Sequence, residues 1–389
     1  AVRITFPDGL DNTKLTRPHW MDSGAKSEGV VSPMSKYPGY KPHRSLWVPS
    51  SRDQVACVVT AEDGTWGLGV SNFPDAVNPI INEYFSPILV GENCMATEKS
   101  WDMMYRLASV YGAQGLASYA ISAVDLALWD LKGKLLKKPV YEILGGPVKD
   151  KIYCYSTGYD TDWYLELGFT AVKIPCPGGP VDGLVGIETI EEAVSKAREL
   201  VGTSVDLMLD CWMGLDVEFA IRLAERLRPY GLKWLEDCLI PEDYEGFVEM
   251  RKRLPWQNLA TGEHWYTTLP FFFAAKKHVV DILQPDIQWV GGVTALVKVC
   301  HIAEAAGISV IPHGGMNTVY GQHVVYAMPG IPWGEYWVNS APGVPLIEAT
   351  HSTPGIVVPE NGYIVPNDAP GFGLELTKEV LEAAANVRR

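Results

Sequence analysis

Apolar positions follow two different periodicities along the chain, and the change comes near residue 150. Within a helical region over 76–138, the stretch LASYAISAVDLALWDLKGKLL repeats apolar residues at steps of three and four, which predicts a long helix. Ahead of it, QVACVVTAEDGTWGLGVS holds two β-rich runs around Asp63-Gly64 and predicts an antiparallel hairpin. Residues 1–45 are rich in Pro, Gly and Lys with little periodicity, so we expect a long ordered loop or lid there.

Short apolar runs alternate with helical patterns from about residue 150 onward. The eight runs are Lys151–Ser156, Thr170–Pro175, Asp206–Cys211, Leu232–Leu239, Leu259–His264, Ile282–Asp286, Ser309–His313 and Glu335–Val338. Strands that alternate with helices form parallel sheets with crossover helices, and eight such units predict a closed (β/α) barrel. After residue 355 the pattern becomes irregular, and we expect this tail to return to the first domain.

Composition narrows the function classes. The chain has 389 residues, 47% of them apolar, which fits a globular protein with a large core. A net charge of −14 without a basic patch argues against nucleic acid or an anionic membrane as partner. Seven cysteines without paired spacing predict reduced thiols and a cytoplasmic protein. No apolar stretch reaches membrane length and no leader opens the chain, so we expect neither a membrane span nor a secretion signal.

Ionisable residues recur at the same place in six successive strand–helix units. They are Asp210, Glu236, Glu263, Asp286, His313 and Glu335, spaced 22 to 27 residues apart. The carboxyl ends of barrel strands converge on one mouth, where barrel enzymes hold their active sites. One such carboxylate alone would be better explained as a helix N-cap or a solvated loop residue, but six in phase predict a single site.

The first three of these residues form an oxygen-only group. Asp210, Glu236 and Glu263 would repel one another if left without a cation, and each would raise the others' pKa. Carboxylate oxygens with room for water suit Mg²⁺, with Mn²⁺ as a second possibility. The alternative is a salt-bridge network with Lys or Arg.

The next two residues suggest acid–base chemistry. A carboxylate beside an imidazole fixes its tautomer and raises its basicity, so Asp286 and His313 predict a general base. The alternative is a histidine that simply satisfies its hydrogen bonds at a strand end. Lys173, which ends the second run in AVKIP, would point into the same mouth or lie on the surface.

Several stretches in conserved order resemble the enolase superfamily, in its acid-sugar dehydratase branch, and are most similar to the L-rhamnonate dehydratases. These stretches are PMSKY (33–37), VDLALWDLKGK (124–134), PVYEILGG (139–146), LMLDCWM (207–213), LKWLEDCL (232–239), GEH (262–264), QPDIQWVGG (284–292), PHG (312–314) and GEYW (334–337). The resemblance implies a modified TIM barrel of the (β/α)7β type. It further implies an α+β capping domain over residues 1–145, a catalytic barrel over 146–354 and a tail over 355–389 that returns to the cap.

The resemblance also implies roles for the site residues. The metal ligands for Mg²⁺ would be Asp210, Glu236 and Glu263, and the catalytic pair would be His313 and Asp286. Glu335 would lie near the substrate carboxylate and stabilise the intermediate, with Lys173 adding positive charge. Substrate binding would involve His19, Arg44 and His264, of which His264 fits a structural role equally well.

The expected reaction is the dehydration of an aldonic acid, foremost L-rhamnonate, to a 2-keto-3-deoxy acid. Lyxonate, mannonate and arabinonate are alternative substrates with the same chemistry. Many superfamily members carry Lys-x-Lys at the end of the second strand, whereas this chain has Lys173-Ile174-Pro175, which disfavours a two-base racemase or epimerase. A non-catalytic sugar-acid binding protein is a further alternative. Superfamily members are commonly multimeric, so the resemblance implies a homo-oligomer.

Overall fold

The structure is a computed structural model that describes residues 1–5, 30–37, 39–40, 53–349, 355–377, 379 and 381. Its N-terminal part holds an antiparallel sheet in the order β1 (Val2–Thr5), β2 (Asp53–Thr60) and β3 (Trp66–Ser71). The predicted hairpin is β2–β3 and is confirmed. The loop predicted for residues 1–45 is wrong at its start, because Val2–Thr5 pairs with β2. Four residues are too few to show a periodicity, and the partner strand lies some fifty residues away in the sequence.

Helices follow β3 along the chain, and some of them pack on this sheet. They are α1 (Pro74–Pro79), which continues into a π-helix (Ile80–Phe85) and α2 (Ser86–Leu89), then α3 (Thr97–Ala108), α4 (Leu116–Leu136) and α5 (Val140–Ile143). The predicted long helix is α4 and has the predicted limits. It lies directly on β3, since a Cβ at Gly67 or Gly69 would stand 2.1 or 1.9 Å from a carbonyl oxygen of α4. Glycine at these two positions therefore sets the distance between helix and sheet.

Each of the eight predicted runs overlaps a parallel strand. The strands are β4 (Ile152–Thr157), β5 (Ala171–Pro175), β6 (Asp206–Asp210), β7 (Leu235–Glu236), β8 (Leu259–Thr261), β9 (Ile282–Leu283), β10 (Ser309–Val310) and β11 (Gly334–Trp337). They follow one another in sequence from β4 to β10, and β11 pairs with β4, which confirms the barrel-like fold. Several strands are shorter than their apolar runs, and β7, β9 and β10 each contain only two residues.

Helices alternate with these strands on the outside. They are α6 (Thr161–Glu166), α7 (Gly183–Val201), α8 (Val217–Leu227), α9 (Tyr244–Arg253), α10 (Leu269–Lys277), α11 (Gly292–Ala306), α12 (Val319–Ala327) and α13 (Leu346–Ala349). Within the described ranges, short 3₁₀ helices lie at Pro33–Lys36, Pro180–Asp182, Arg228–Tyr230 and Gly315–Asn317. None of the helices in the described ranges is both long and apolar enough to cross a bilayer.

The two ends of the parallel sheet meet through side chains. In the described part of the chain, no strand ladder joins β10 to β11. Instead, the Asn317 side-chain amide donates to the Trp337 carbonyl at 2.9 Å, and Trp337 N–H donates to Asn317 Oδ1 at 2.7 Å. The Gly314 N–H donates to Glu335 Oε2 at 2.8 Å.

The C-terminal segment contacts both parts of the molecule. Strand β12 (Tyr363–Ile364) pairs antiparallel with β4. A few residues later, Gly371 forms a bridge with Pro139, and Phe372 N–H donates to the buried Asp130 of α4 at 3.0 Å. These contacts tie residues 363–372 to the barrel and to α4 and α5.

A buried histidine lies beside this segment. The ring of His323 in α12 packs at 5.4 Å from the rings of both Tyr141 and Phe372. Burial lowers the pKa of His323 to about 3, although the Asp368 carboxylate acts in the opposite direction. An unfolded chain restores a histidine pKa of about 6.5, so it binds one more proton than the folded chain between these values. This contribution to stability is complete above the unfolded pKa and is lost as the pH falls towards 3.

We expect His323→Asn to remove that pH dependence. Between pH 7 and pH 5, the free energy of unfolding of the unsubstituted chain should fall by about 2 kcal/mol more than that of the variant. Urea unfolding of both proteins at the two pH values measures the difference, and all other titrating groups cancel in it. Equal slopes for the two proteins would contradict the assignment.

Candidate active site

Three carboxylates meet at the carboxyl ends of neighbouring strands. Asp210 ends β6 and lies in register with Glu236, which ends β7, and Glu263 follows β8 by two residues. All three side chains are buried, and one oxygen from each lies within 4.8 Å of the others. We call these residues the acidic cluster.

Lys173, from β5, lies in contact with the acidic cluster. Its ammonium group forms an ion pair with Glu236 Oε1, lies 2.8 Å from Glu335 Oε1 and 3.4 Å from Asp210 Oδ2. Burial alone would lower the pKa of Lys173, but the carboxylates of Glu236 and Glu335 outweigh burial and raise that pKa well above its usual range. Lys173 is therefore a fixed positive charge inside the mouth and not a surface lysine.

One buried ammonium group does not neutralise the acidic cluster. Burial raises the pKa of Glu236 to about 8, with Lys173 opposing and Asp210 adding to the rise. Burial likewise raises the pKa of Glu263 to about 7, against the effect of two nearby histidines. Oxygen-only donors with excess negative charge and short separations fit a divalent cation such as Mg²⁺.

Two neighbouring side chains orient Glu236. Trp234 Nε1–H donates to Glu236 Oε2 at 2.7 Å, and the Gln284 amide donates to the same oxygen at 2.8 Å. These contacts hold Oε2, while Oε1 pairs with Lys173, so the orientation of the carboxylate is fixed at both oxygens. Sequence reasoning missed both residues. The available signal was that Trp234 precedes Glu236 by two positions, which puts both on one face of a strand.

The predicted imidazole–carboxylate pair is in contact. His313 Nδ1 lies 2.8 Å from Asp286 Oδ2, and His313 Nε2 lies 3.2 Å from Glu263 Oε2. Asp286 Oδ1 accepts a hydrogen bond from Gln288 N–H at 2.7 Å. Burial lowers the pKa of His313, but Glu263 and Asp286 more than compensate and raise it to about 10. The imidazole thus directs Nε2 towards the acidic cluster, while Nδ1 is hydrogen-bonded to Asp286.

Glu335 on β11 is held from three sides. Thr157 Oγ1–H donates to Oε1 at 2.6 Å, Gly314 N–H donates to Oε2 at 2.8 Å, and Lys173 lies beside Oε1. Burial would raise the pKa of Glu335, but Lys173 and His313 lower it to about 2. Glu335 is therefore an ionised carboxylate with a fixed orientation. Thr157, which ends β4, is a further residue that sequence reasoning missed.

His264 lies in contact with two carboxylates, those of Asp237 and Glu263. Its Nδ1 lies 3.3 Å from Asp237 Oδ2 and 3.1 Å from Glu263 Oε1. Asp237 in turn accepts a hydrogen bond from Thr261 Oγ1 at 2.6 Å. The contacts place His264 next to the acidic cluster, which leaves its role in substrate binding a prediction. His19 and Arg44, the other predicted substrate-binding residues, lie outside the described residues.

We expect Lys173→Met to destabilise the protein strongly in the presence of EDTA. EDTA keeps the site free of metal, so the substitution leaves the buried carboxylates of Glu236 and Glu335 without the ammonium group of Lys173. Such losses cost about 3–5 kcal/mol. Urea unfolding measures the change. Lys196→Met is a suitable control, since its pair with Glu192 lies on the surface of α7 and should contribute little. Equal stability of the two variants would contradict the prediction.

Comparisons with known proteins agree with this arrangement. The family model described as "Mandelate racemase / muconate lactonizing enzyme, N-terminal domain" matches residues 39–145, and the one described as "Enolase C-terminal domain-like" matches residues 161–380. The chain is 39% identical to the L-rhamnonate dehydratase of Saccharopolyspora erythraea, over 96% of this chain and 94% of the relative. It is also 39% identical to a putative L-rhamnonate dehydratase of Caldivirga maquilingensis, over 96% of this chain and 92% of the relative.

A solved structure gives the same result. The crystal structure of rhamnonate dehydratase from Gibberella zeae complexed with Mg superposes with a TM-score of 0.89 and is 31% identical, covering 98% of this chain and 94% of that one. Because two family models match most of the chain and relatives align with it nearly end to end, the chain belongs to the enolase superfamily.

Proposed function

We propose that this protein is a Mg²⁺-dependent dehydratase of an aldonic acid, with L-rhamnonate as its substrate and a 2-keto-3-deoxy acid as its product. The observation that carries the proposal is the position of His313, whose Nε2 faces the acidic cluster while Nδ1 contacts Asp286. The relatives named L-rhamnonate dehydratase, which align over 96% of the chain, support the choice of substrate.

In this proposal, Asp210, Glu236 and Glu263 hold the Mg²⁺ ion. Their oxygen-only donor set, their burial and their mutual distances within 4.8 Å support that role. A bound divalent cation supplies Lewis-acid stabilisation of the negative charge that develops on the substrate carboxylate. Trp234 and Gln284 would keep Glu236 oriented for the ion.

His313 would act first as base and then as acid. As a base it would be neutral, because a cation at Glu263 would offset the negative charge that raises the pKa of the imidazole. Nε2 takes the proton from the α-carbon, and the electron pair of the broken C–H bond moves towards the substrate carboxylate. The imidazolium that results is stabilised through Nδ1–H by Asp286. It then protonates the departing β-hydroxyl, the C–O bond breaks, and water leaves behind an enol that becomes the 2-keto acid.

Two charged residues would lie next to the substrate. Lys173 would stabilise the substrate carboxylate by its positive charge, and Glu335, which pairs with Lys173, would lie beside the reacting centre. The position two residues after Lys173 is Pro175, which has no basic group. A racemase needs a second base on the opposite face of the α-carbon, so Pro175 supports dehydration over racemisation.

The remaining assignments follow the superfamily pattern. We assign the capping domain to residues 1–145, the barrel to 146–354 and the returning tail to 355–389, with His19, Arg44 and His264 in substrate binding. The contacts of residues 363–372 with both parts support the division. Seven free cysteines, six of them buried, support a cytoplasmic protein. The homo-oligomer implied by the resemblance is checked by light scattering after gel filtration.

A screen of aldonic acids for 2-keto-3-deoxy product, with Mg²⁺ and with EDTA, tests the function. We expect product from L-rhamnonate with Mg²⁺ only, and less from lyxonate, mannonate or arabinonate. Running the reaction in D₂O separates dehydration from racemisation, since a racemase would exchange the α-proton without forming a keto acid. Product that persists in EDTA, or exchange without product, would overturn the proposal.

A further inference from the structure

The indole of Trp289 lies against both histidines of the site. Its ring centre is 5.0 Å from that of His313 and 5.6 Å from that of His264. Trp289 follows Asp286 by three residues, and its N–H donates to the Asp286 carbonyl at 3.0 Å. The side chain that contacts His313 and the carboxylate that orients it are thus parts of one turn after β9.

The N-terminal part of the molecule contacts Trp289 at three places, two of them on the indole. Trp289 Nε1–H donates to Asn72 Oδ1 at 2.8 Å, just after β3. The ring of Tyr119 stacks on the indole with centres 5.6 Å apart and planes 25° apart. The Ser118 hydroxyl donates to the Trp289 carbonyl at 2.6 Å. Rotating the indole would break the Asn72 hydrogen bond and the aromatic stack together.

The neighbouring residue links the same two parts. Gln288 accepts a hydrogen bond at its carbonyl from the Ser71 hydroxyl at 2.7 Å, and its side-chain amide donates to the Val70 carbonyl at 2.9 Å. Its own N–H donates to Asp286 Oδ1 at 2.7 Å. The end of β3 therefore fixes the turn that carries Asp286, independently of the indole.

We propose that Trp289 is a positioning residue for His313 and that Asn72 fixes its orientation from the N-terminal sheet. The inference rests on the proposed dehydration for its kinetic consequence, but the contact itself is a property of the chain. The indole of Trp289 packs against the imidazole ring of His313. It therefore limits rotation of the imidazole about its hydrogen bond with Asp286. The distance from Nε2 to the α-proton then depends on how the N-terminal sheet sits against the barrel.

Four variants test this inference. Trp289→Phe keeps an aromatic ring but loses the N–H donor, and Asn72→Ala loses the acceptor. Asn72→Asp keeps an acceptor oxygen and should behave like the unsubstituted chain. Trp129→Phe is the matched control, because Trp129 Nε1–H donates to Thr294 Oγ1 at 3.0 Å between α4 and α11, away from the histidines.

We expect Trp289→Phe and Asn72→Ala each to lower kcat about tenfold with KM nearly unchanged, since small misplacements of a catalytic group have effects of this order or larger. The double variant should be no slower than either single variant, because both remove one hydrogen bond. Additive losses, or an equal loss in Trp129→Phe, would overturn the proposal.

NMR of the imidazole protons gives a readout that does not depend on turnover. The ring-proton shifts of His313 should move in Trp289→Phe and Asn72→Ala, and stay in place in Asn72→Asp and Trp129→Phe. Unchanged His313 shifts in the first two variants would overturn the inference even if the dehydration is established. Failure of every aldonic acid as substrate would instead reject the proposed function and leave the NMR result to decide the contact.

Discussion

His313→Asn should abolish dehydration while Mg²⁺ and the sugar acid still bind. In the proposed reaction one imidazole serves as base and as acid, so its loss removes both proton transfers, each of which contributes about 10²–10⁴-fold. We expect kcat to fall at least about 10³-fold. Asparagine keeps a polar group beside Asp286, so the fold should survive, and calorimetric titration with Mg²⁺ should match that of the unsubstituted chain.

His278→Asn is the control for that experiment. His278 is exposed after α10 in a left-handed conformation with φ of 53°, which asparagine adopts more readily than most residues. This variant should keep full activity. Retained turnover in His313→Asn would refute its assignment as the base, whereas activity lost together with Mg²⁺ binding would point to a structural defect.

Glu236→Gln should weaken Mg²⁺ binding severely. It removes one of the three charges in the acidic cluster, and loss of even a residue that supports a metal ligand typically costs 10–100-fold in affinity, so we expect at least about 100-fold here. Titration calorimetry with Mg²⁺, or electron paramagnetic resonance with Mn²⁺, measures the affinity. The metal-free variant should remain folded, because the substitution relieves repulsion from Asp210 and Glu263.

Glu192→Gln serves as the reference, since Glu192 is an exposed carboxylate on α7. Its Mg²⁺ titration should equal that of the unsubstituted chain. An unchanged titration in Glu236→Gln would remove Glu236 from the set of metal ligands and would leave a salt-bridge network with Lys173 as the better interpretation of the acidic cluster.

The sequence predicts the strands of this fold better than the contacts between its parts. Asp210, Glu236 and His313 are recognisable because each follows an apolar run and the runs recur at a regular interval. Strand β1 cannot be recognised in this way, because it forms only by pairing with β2, about fifty residues away in the sequence. Nor does the sequence indicate that Asn72 meets Trp289, since no periodicity connects residues that are 217 positions apart.

Within the site, sequence reasoning finds the charged residues and misses the groups that orient them. Thr157 ends β4, Trp234 directly precedes β7 and Gln284 directly follows β9. Their hydrogen bonds become visible only when neighbouring strands are in register. Whether Lys173 is buried or on the surface likewise depends on carboxylates from other strands. Its partner Glu335 comes from β11, which closes against β4 at the far end of the sequence.

In the residues that the structure describes, β10 and β11 share no ladder, and this affects how the two ends of the parallel sheet are held together. The two ends are joined there by hydrogen bonds of the Asn317 side-chain amide with Trp337 and of the Glu335 carboxylate with Gly314. A compound that binds Glu335 at the mouth of the barrel should also stabilise these contacts. The backbone amide protons near β10 and β11 should then exchange more slowly with solvent when the compound is bound.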